Sequence, residues 1–187
     1  LLSLLQAFLL LAPLSGALQA QAPPSDAFTN RTTANGLGSN TVYKIASQPG
    51  AIYAATAGGL GISQNGRSFS NITTANGLGS NLVYDVIAAG TRVYAATDGG
   101  LSVSSDAGLS FSNRTTAHGL GGNQVTKIFL ISGTLYAVTN GGLSVSTDNG
   151  NTFVNRTIAN GLGSNSINDV RQEGSSLFVA TTGGLSF

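Results

Sequence analysis

The sequence contains no cysteine, which removes both a disulfide framework and a thiolate metal site. Export is compatible with that absence, because a core of this size holds together without covalent staples. Charge is scarce too: eight Lys plus Arg stand against seven Asp plus Glu. A balance this low and even argues against a nucleic-acid binder, which needs a basic stripe to neutralise phosphates. Glutamate occurs once, at Glu173, and histidine once, at His118, which leaves little for general acid–base chemistry. A helical hydrophobic period is missing from the whole chain. Disorder is excluded from the other side, since 41% of residues are hydrophobic and they are rich in Val, Ile, Leu, Phe and Tyr.

The first residues form a separate region. Leu1 to Ala22 read LLSLLQAFLLLAPLSGALQAQA, an apolar run of signal-peptide length followed by small residues, with cleavage expected after Ala17 or Ala20. The run is too short and too interrupted for a transmembrane span. The initiator Met and a basic n-region are absent, so the true start is expected to lie upstream. Residues 23–27 read as a Pro-containing spacer. A secreted, periplasmic or cell-surface location is therefore expected, with membrane attachment only through an anchor outside this sequence.

Residues 28–187 are a repeat. Phe28, Phe69, Phe111 and Phe153 mark four copies about 42 residues apart, a period that belongs to repeat architectures. Each copy offers four short runs of alternating, β-branched and aromatic residues, for example FSNRTT, QVTKIFL, TLYAVT and LSVS. Glycine is abundant, but it recurs at fixed places and so reads as turn chemistry. The Gly58-Gly59, Gly99-Gly100, Gly141-Gly142 and Gly183-Gly184 pairs predict tight hairpins. Gly36, Gly77, Gly119 and Gly161, each after Asn or His, predict positive φ at the crossings between copies.

Four-stranded units of this length predict an all-β chain folded as blades of a β-propeller. The expectation is four four-stranded blades, or a four-blade portion of a larger ring, with boundaries near residues 41, 82, 124 and 166. Three blades take their outer strand from the next copy. The fourth has only its inner three, and the N-terminal strand Phe28–Thr33 is expected to close it.

Two resemblances meet in this repeat. Ser104-Ser105-Asp106-Ala107-Gly108-Leu109-Ser110-Phe111 and Ser146 to Phe153 resemble the Asp-box (BNR-like) motif of sialidases, sortilin-type receptors, xyloglucan-degrading glucanases and photosystem assembly factors. The first copy, Ser63 to Phe69, is one residue shorter and has Asn for Asp. The stretch from NGLGSN through LYAVTNGGLS is similar to the two-component-regulator propeller repeat of bacterial periplasmic sensors. Together they cover nearly all of residues 28–187 and imply the propeller fold, but both families put many activities on that scaffold.

The structural roles expected of the motif are specific. Asp106 and Asp148 accept turn N–H groups, Gly108 and Gly150 take the left-handed position, Ser104 and Ser146 open the turn, and Phe111 and Phe153 bury their rings. A calcium loop at Asp148-Asn149-Gly150 lacks the required run of oxygen ligands, and no other metal or cofactor set is seen. Arg31, Arg114 and Arg156 are repeat-equivalent, with Ile72 in the fourth place, so they read as scaffold and not as a sialidase arginine cluster. Asp85 and Asp169 are the remaining carboxylates for a glycosidase pair, again at matching repeat positions. Asn30, Asn71, Asn113 and Asn155 open N-x-Thr sequons, read as a polar strand position copied with the repeat.

Two groupings remain. Lys44, Asp85, Lys127 and Asp169 share one innermost-strand position with alternating sign, predicting a charge-balanced ring near the central channel. Asn40, Asn81, Asn123 and Asn165, with Asp98 and Asn140, are expected to gather at one mouth of that channel. Amides that donate and accept suit hydroxyl-rich or backbone-rich ligands. The expected function is a non-catalytic module binding a protein or glycan partner. The alternatives are a sensor-input or structural propeller without its own ligand, and an Asp-box glycoside hydrolase fragment. Two fragments of this size can also pair into a larger ring.

Overall fold

Within each copy, the runs of alternating residues form strands and the glycine pairs turn them back on themselves. The computed structural model describes residues 28–187; the leader and spacer expected for residues 1–27 lie outside them. The first sheet comprises β1 (Val42–Gln48), β2 (Ala51–Thr56), β3 (Gly59–Ser63) and β4 (Ser70–Ile72). The second comprises β5 (Val83–Ala89), β6 (Arg92–Thr97), β7 (Gly100–Ser104) and β8 (Ser112–Arg114). The third comprises β9 (Val125–Ile131), β10 (Thr134–Thr139), β11 (Gly142–Ser146) and β12 (Val154–Arg156). The fourth comprises β13 (Ile167–Glu173), β14 (Ser176–Thr181) and β15 (Gly184–Ser186). Each is an antiparallel meander in chain order. These are the blades of a β-propeller.

Residues 31–187 form one unit. In it β1 packs along β5, β5 along β9, and β9 against β13, so the blades follow one another like fanned cards. Three apolar cores result, each lying between two neighbouring blades. The second blade shows the rule: Val83, Val86 and Val93 pack against the first blade, while Tyr94, Leu101 and Val103 pack against the third.

The fold departs from expectation at its ends. Residues 28–32 adopt no strand, and among the described residues the fourth sheet keeps three strands, with β15 unpaired on its outer side. The N-terminal strand therefore does not close the last blade, and the blades form an open arc. The physical reason is visible at Arg31, whose Nε donates to the carbonyl of Gly66 at 3.0 Å. Arg114 of β8 makes the equivalent bond to Gly150 of the following blade at 3.1 Å. Arg31 thus stands against the first blade, where the outer edge of a preceding blade belongs. Glu173 ends β13.

Four short 3-10 turns (33–35, 74–76, 116–118 and 158–160) lead into the crossings, the last three directly from the outer strands β4, β8 and β12. Each is capped by a Thr whose backbone N–H is held by the residue at the turn's end. His118 fills that place in the third turn, its Nδ1 accepting from Thr115 N at 3.1 Å as the Asn side chains do elsewhere. Asn suits this position because its short amide reaches its own backbone.

Candidate functional site

The crossings and the hairpins lie back to back on one rim of the arc. Gly79 and Gly99 show how closely. A Cβ on Gly99 would sit 2.2 Å from the Gly79 carbonyl oxygen, so the contact admits glycine alone. The hairpin tips are tied to the start of the innermost strands: Asp98 N donates to Leu82 O and Asn140 N to Gln124 O, both at 3.2 Å. Asn40, Asn81, Asn123 and Asn165 lie at the other side of each junction. Every one of their Oδ1 atoms accepts a backbone N–H at 2.9 Å, from Thr33, Thr74, Thr116 and Ile158 respectively. These amides are therefore half committed to the scaffold through Oδ1.

A β-bulge in every innermost strand shapes the mouth. Val83 pairs with Thr97 and Asp85 with Ala96, which leaves Tyr84 as the extra residue. Tyr43, Thr126 and Asn168 are the extra residues in the other three blades. Bulges re-aim side chains and recur next to functional sites. Here the bulge turns Tyr84 toward the neighbouring hairpin, where its hydroxyl donates to Asp98 Oδ1 at 3.1 Å. Gln124 of the third copy donates from Nε2 to the same oxygen at 2.8 Å. Tyr43 stands beside Tyr84 with ring centroids 6.0 Å apart and a 48° tilt, and it is 49% exposed. Withdrawal from water, then the Asp98 hydrogen bond and charge, push the Tyr84 phenol above its ordinary range. Of this cluster only Asp98 was expected. Asn140 and Asn165 meet along an open groove of ≈ 410 Å³ between the third and fourth blades, shared with Gln124, Thr126 and Ser166.

Lys44, Asp85, Lys127 and Asp169 line one hollow of ≈ 510 Å³ on the concave side. Among the described residues no Lys–Asp pair in this set comes within 4.0 Å; the ion pair found is Arg171 with Asp169 at 3.5 Å, on the surface. Asp85 instead joins two blades. Its Oδ1 accepts from Val86 N at 2.8 Å and its Oδ2 from Ile128 N of the third blade at 3.0 Å. Burial pushes its carboxyl up, partly offset by those two N–H donors and by the charges of Lys44 and Lys127. Lys127 reaches the Asn168 carbonyl.

The aspartate turns of the second and third blades lie at the opposite edge, after β7 and β11. Asp106 accepts from the Ser104 hydroxyl at 2.7 Å, from Ser110 N at 3.0 Å and from the Ser110 hydroxyl at 2.6 Å. Those donors, the Ser110 hydroxyl first, hold its carboxyl at about 2. Asp148 does the same with Ser146, Asn151 and Thr152, and is held lower still, chiefly by the Thr152 N–H. Gly108 and Gly150 donate to the Ser104 and Ser146 hydroxyls from φ of 93° and 82°, and Phe111 and Phe153 are buried. Each turn is also gripped from the preceding blade: Tyr53 donates to Ala107 O at 3.2 Å and Tyr94 to Asn149 O at 3.4 Å. Asn71, Asn113 and Asn155 donate from Nδ2 to the hairpin carbonyls of Gly58, Gly99 and Gly141.

No protein-family model and no curated protein matches the sequence. Solved structures share the fold. The extracellular domain of the B. thetaiotaomicron protein BT3049, classed with hybrid two component systems, aligns with a TM-score of 0.71 at 21% identity. An ancestral GH74 enzyme aligns at 0.58 and 16%. PorZ, a surface component of the type-IX secretion system of Porphyromonas gingivalis, aligns at 0.60 and 14%. These alignments cover 84%, 78% and 78% of this chain, but 23%, 22% and 20% of those chains. The chain spans about a quarter of the length of the proteins it resembles.

Proposed function

We propose that this chain is an exported, non-catalytic binding module that takes a hydroxyl-rich partner, a glycan or a glycan-like protein surface, on its crossing-and-hairpin rim. The observation that carries this reading is the cluster of Tyr43, Tyr84, Asp98 and Gln124. It sets two aromatic faces beside an acceptor and a donor. Aromatic faces pack against the apolar side of a sugar ring, while carboxylate and amide groups bind its hydroxyls. The amides along the neighbouring groove extend the same chemistry. The channel carboxylates favour scaffold over catalysis: Asp85 spends both oxygens on backbone N–H groups, and Asp169 pairs with Arg171. An extracellular place is supported by the leader-like residues 1–22 and by the recurrence of this fold in an extracellular domain.

A glycan array probed with the full chain tests the reading. Saturable binding should fall at least tenfold in Tyr43→Ala and in Gln124→Ala, two partly exposed positions whose loss leaves the cores intact. Binding untouched by both changes, or glycoside turnover that disappears in Asp85→Asn or Asp169→Asn, would overturn it.

A further inference from the structure

Two arginines each reach across to the glycine of the next turn. Arg114 of β8 donates from Nε to Gly150 O at 3.1 Å and from Nη2 to Asn151 Oδ1 at 3.3 Å. Arg31 makes the same Nε bond to Gly66 O at 3.0 Å. Between the first and second blades the pattern breaks. Ile72 of β4 pairs with Leu60 as Arg114 pairs with Leu101, and an isoleucine has no donor for the Gly108 carbonyl. The turn residue after that glycine changes as well: Leu109, 77% exposed, stands where the third blade has Asn151. An open groove of ≈ 840 Å³ lies here, with Ile62, Phe69, Ile72, Asp106, Gly108 and Leu109 along it. Phe69 is half-buried, whereas Phe111 and Phe153 are buried.

We propose that this groove receives an arginine side chain of a partner protein, whose guanidinium donates to the Gly108 carbonyl as Arg114 and Arg31 donate to Gly150 and Gly66. The seat is one that the fold fills with a guanidinium at two other turns, so the carbonyl there suits that donor. Charge is complementary: among the described residues Asp106 is the one charged side chain lining the groove. Its carboxyl, held at about 2, is ionised at neutral pH. That carboxylate also keeps acceptor capacity. Its Oδ2 takes a single donor, the Ser110 hydroxyl, whereas Oδ2 of Asp148 takes both the N–H and the hydroxyl of Thr152. The walls suit the rest of the side chain. An arginine lays its methylenes along apolar surface while its head stays polar, and Ile62, Phe69, Ile72 and Leu109 supply that surface. A planar fork of donors matches neighbouring oxygen acceptors better than an ammonium does. This groove lies at the edge away from the rim and does not depend on the glycan reading.

Titrating the full chain with an acetylated pentaglycine that carries arginine at its centre, followed by amide NMR, tests this. Saturable shifts are expected at Gly108, Leu109 and Ile72, and not at Gly66 or Gly150, where the seats are filled. Lysine at the centre should bind roughly tenfold more weakly, and norleucine should not saturate. Ile72→Arg combined with Leu109→Asn rebuilds the Arg114–Asn151 arrangement inside the chain. It should abolish the shifts while keeping or raising the melting temperature, so that lost binding is not lost folding. Three results would each overturn the proposal. The first is no saturable shift up to about 10 mM peptide. The second is binding that survives the Ile72→Arg, Leu109→Asn pair. The third is lysine or norleucine binding as tightly as arginine.

Discussion

Leu101 and Leu185 occupy the same repeat position, follow the same glycine pair and belong to equivalent strands, yet one is fully buried and the other is 65% exposed. The difference between them is not local. Leu101 lies in the second blade with a third blade against it; Leu185 lies in the fourth, with no blade against that face among the described residues. A blade of this repeat cannot bury its own apolar side chains, because its sheet has two apolar faces and no second layer. Stability therefore resides in the interfaces between neighbours, as in other repeat proteins.

The largest effect that can break this comparison comes from the two leucines themselves. Leu101→Ala should lower unfolding stability by about 2–5 kcal/mol, as for other buried leucines. Leu185→Ala should stay within about 0.5 kcal/mol, because its side chain is 65% exposed. Urea unfolding of both variants checks it, and equal losses would show that the fourth blade is covered.

The tyrosines of the second strand sharpen the same point. Tyr53 and Tyr94 each reach the aspartate turn of the following blade, at 3.2 and 3.4 Å. Tyr136 has no such turn to reach among the described residues. Tyr53→Phe should cost about 0.5–1.5 kcal/mol, the net worth of one hydrogen bond. Tyr136→Phe should leave the melting temperature where it was.

A smaller effect depends on pH. Asp106 has its carboxyl held at about 2 by the Ser110 and Ser104 donors, below the ordinary 3.8, and Asp148 is depressed further. A depressed carboxylate stabilises the fold fully above 3.8 and loses that contribution as pH falls through its folded value. Asp85 works in the opposite sense, because burial raises it: its contribution is full below 3.8 and fades as pH rises. The melting temperature should therefore fall between pH 4 and pH 2, and Asp106→Asn should flatten that fall while lowering the neutral-pH value. A variant as steep as the parent would remove Asp106 from the account.

Much of the fold was legible because the repeat states it four times. Phe at a fixed interval, glycine pairs and alternating apolar runs specify strands and turns through local chemistry, and the blades begin at Val42, Val83, Val125 and Ile167. Closure was not legible, because residues 28–33 carry the pattern of an outer strand without saying which sheet they would join. The rim cluster was hidden for a related reason. Gln124 and Asp98 come from different copies, and a period relates equivalent positions, not neighbours across a blade boundary. One signal for the bulge was present: the inward residues Val83 and Val86 are three apart, where a regular strand would place them two or four apart. That spacing recurs in all four copies and marks Tyr43, Tyr84, Thr126 and Asn168 as redirected side chains.

The most direct test of an open arc exploits the absence of cysteine. Ile45→Cys combined with Leu185→Cys introduces the molecule's two thiols, one at each end. Mild oxidation of a dilute sample, read on a non-reducing gel, should yield no crosslink within a single copy, because the first and fourth blades do not meet. A monomer carrying an internal disulfide would mean that the first and fourth blades meet, and would contradict the open arc.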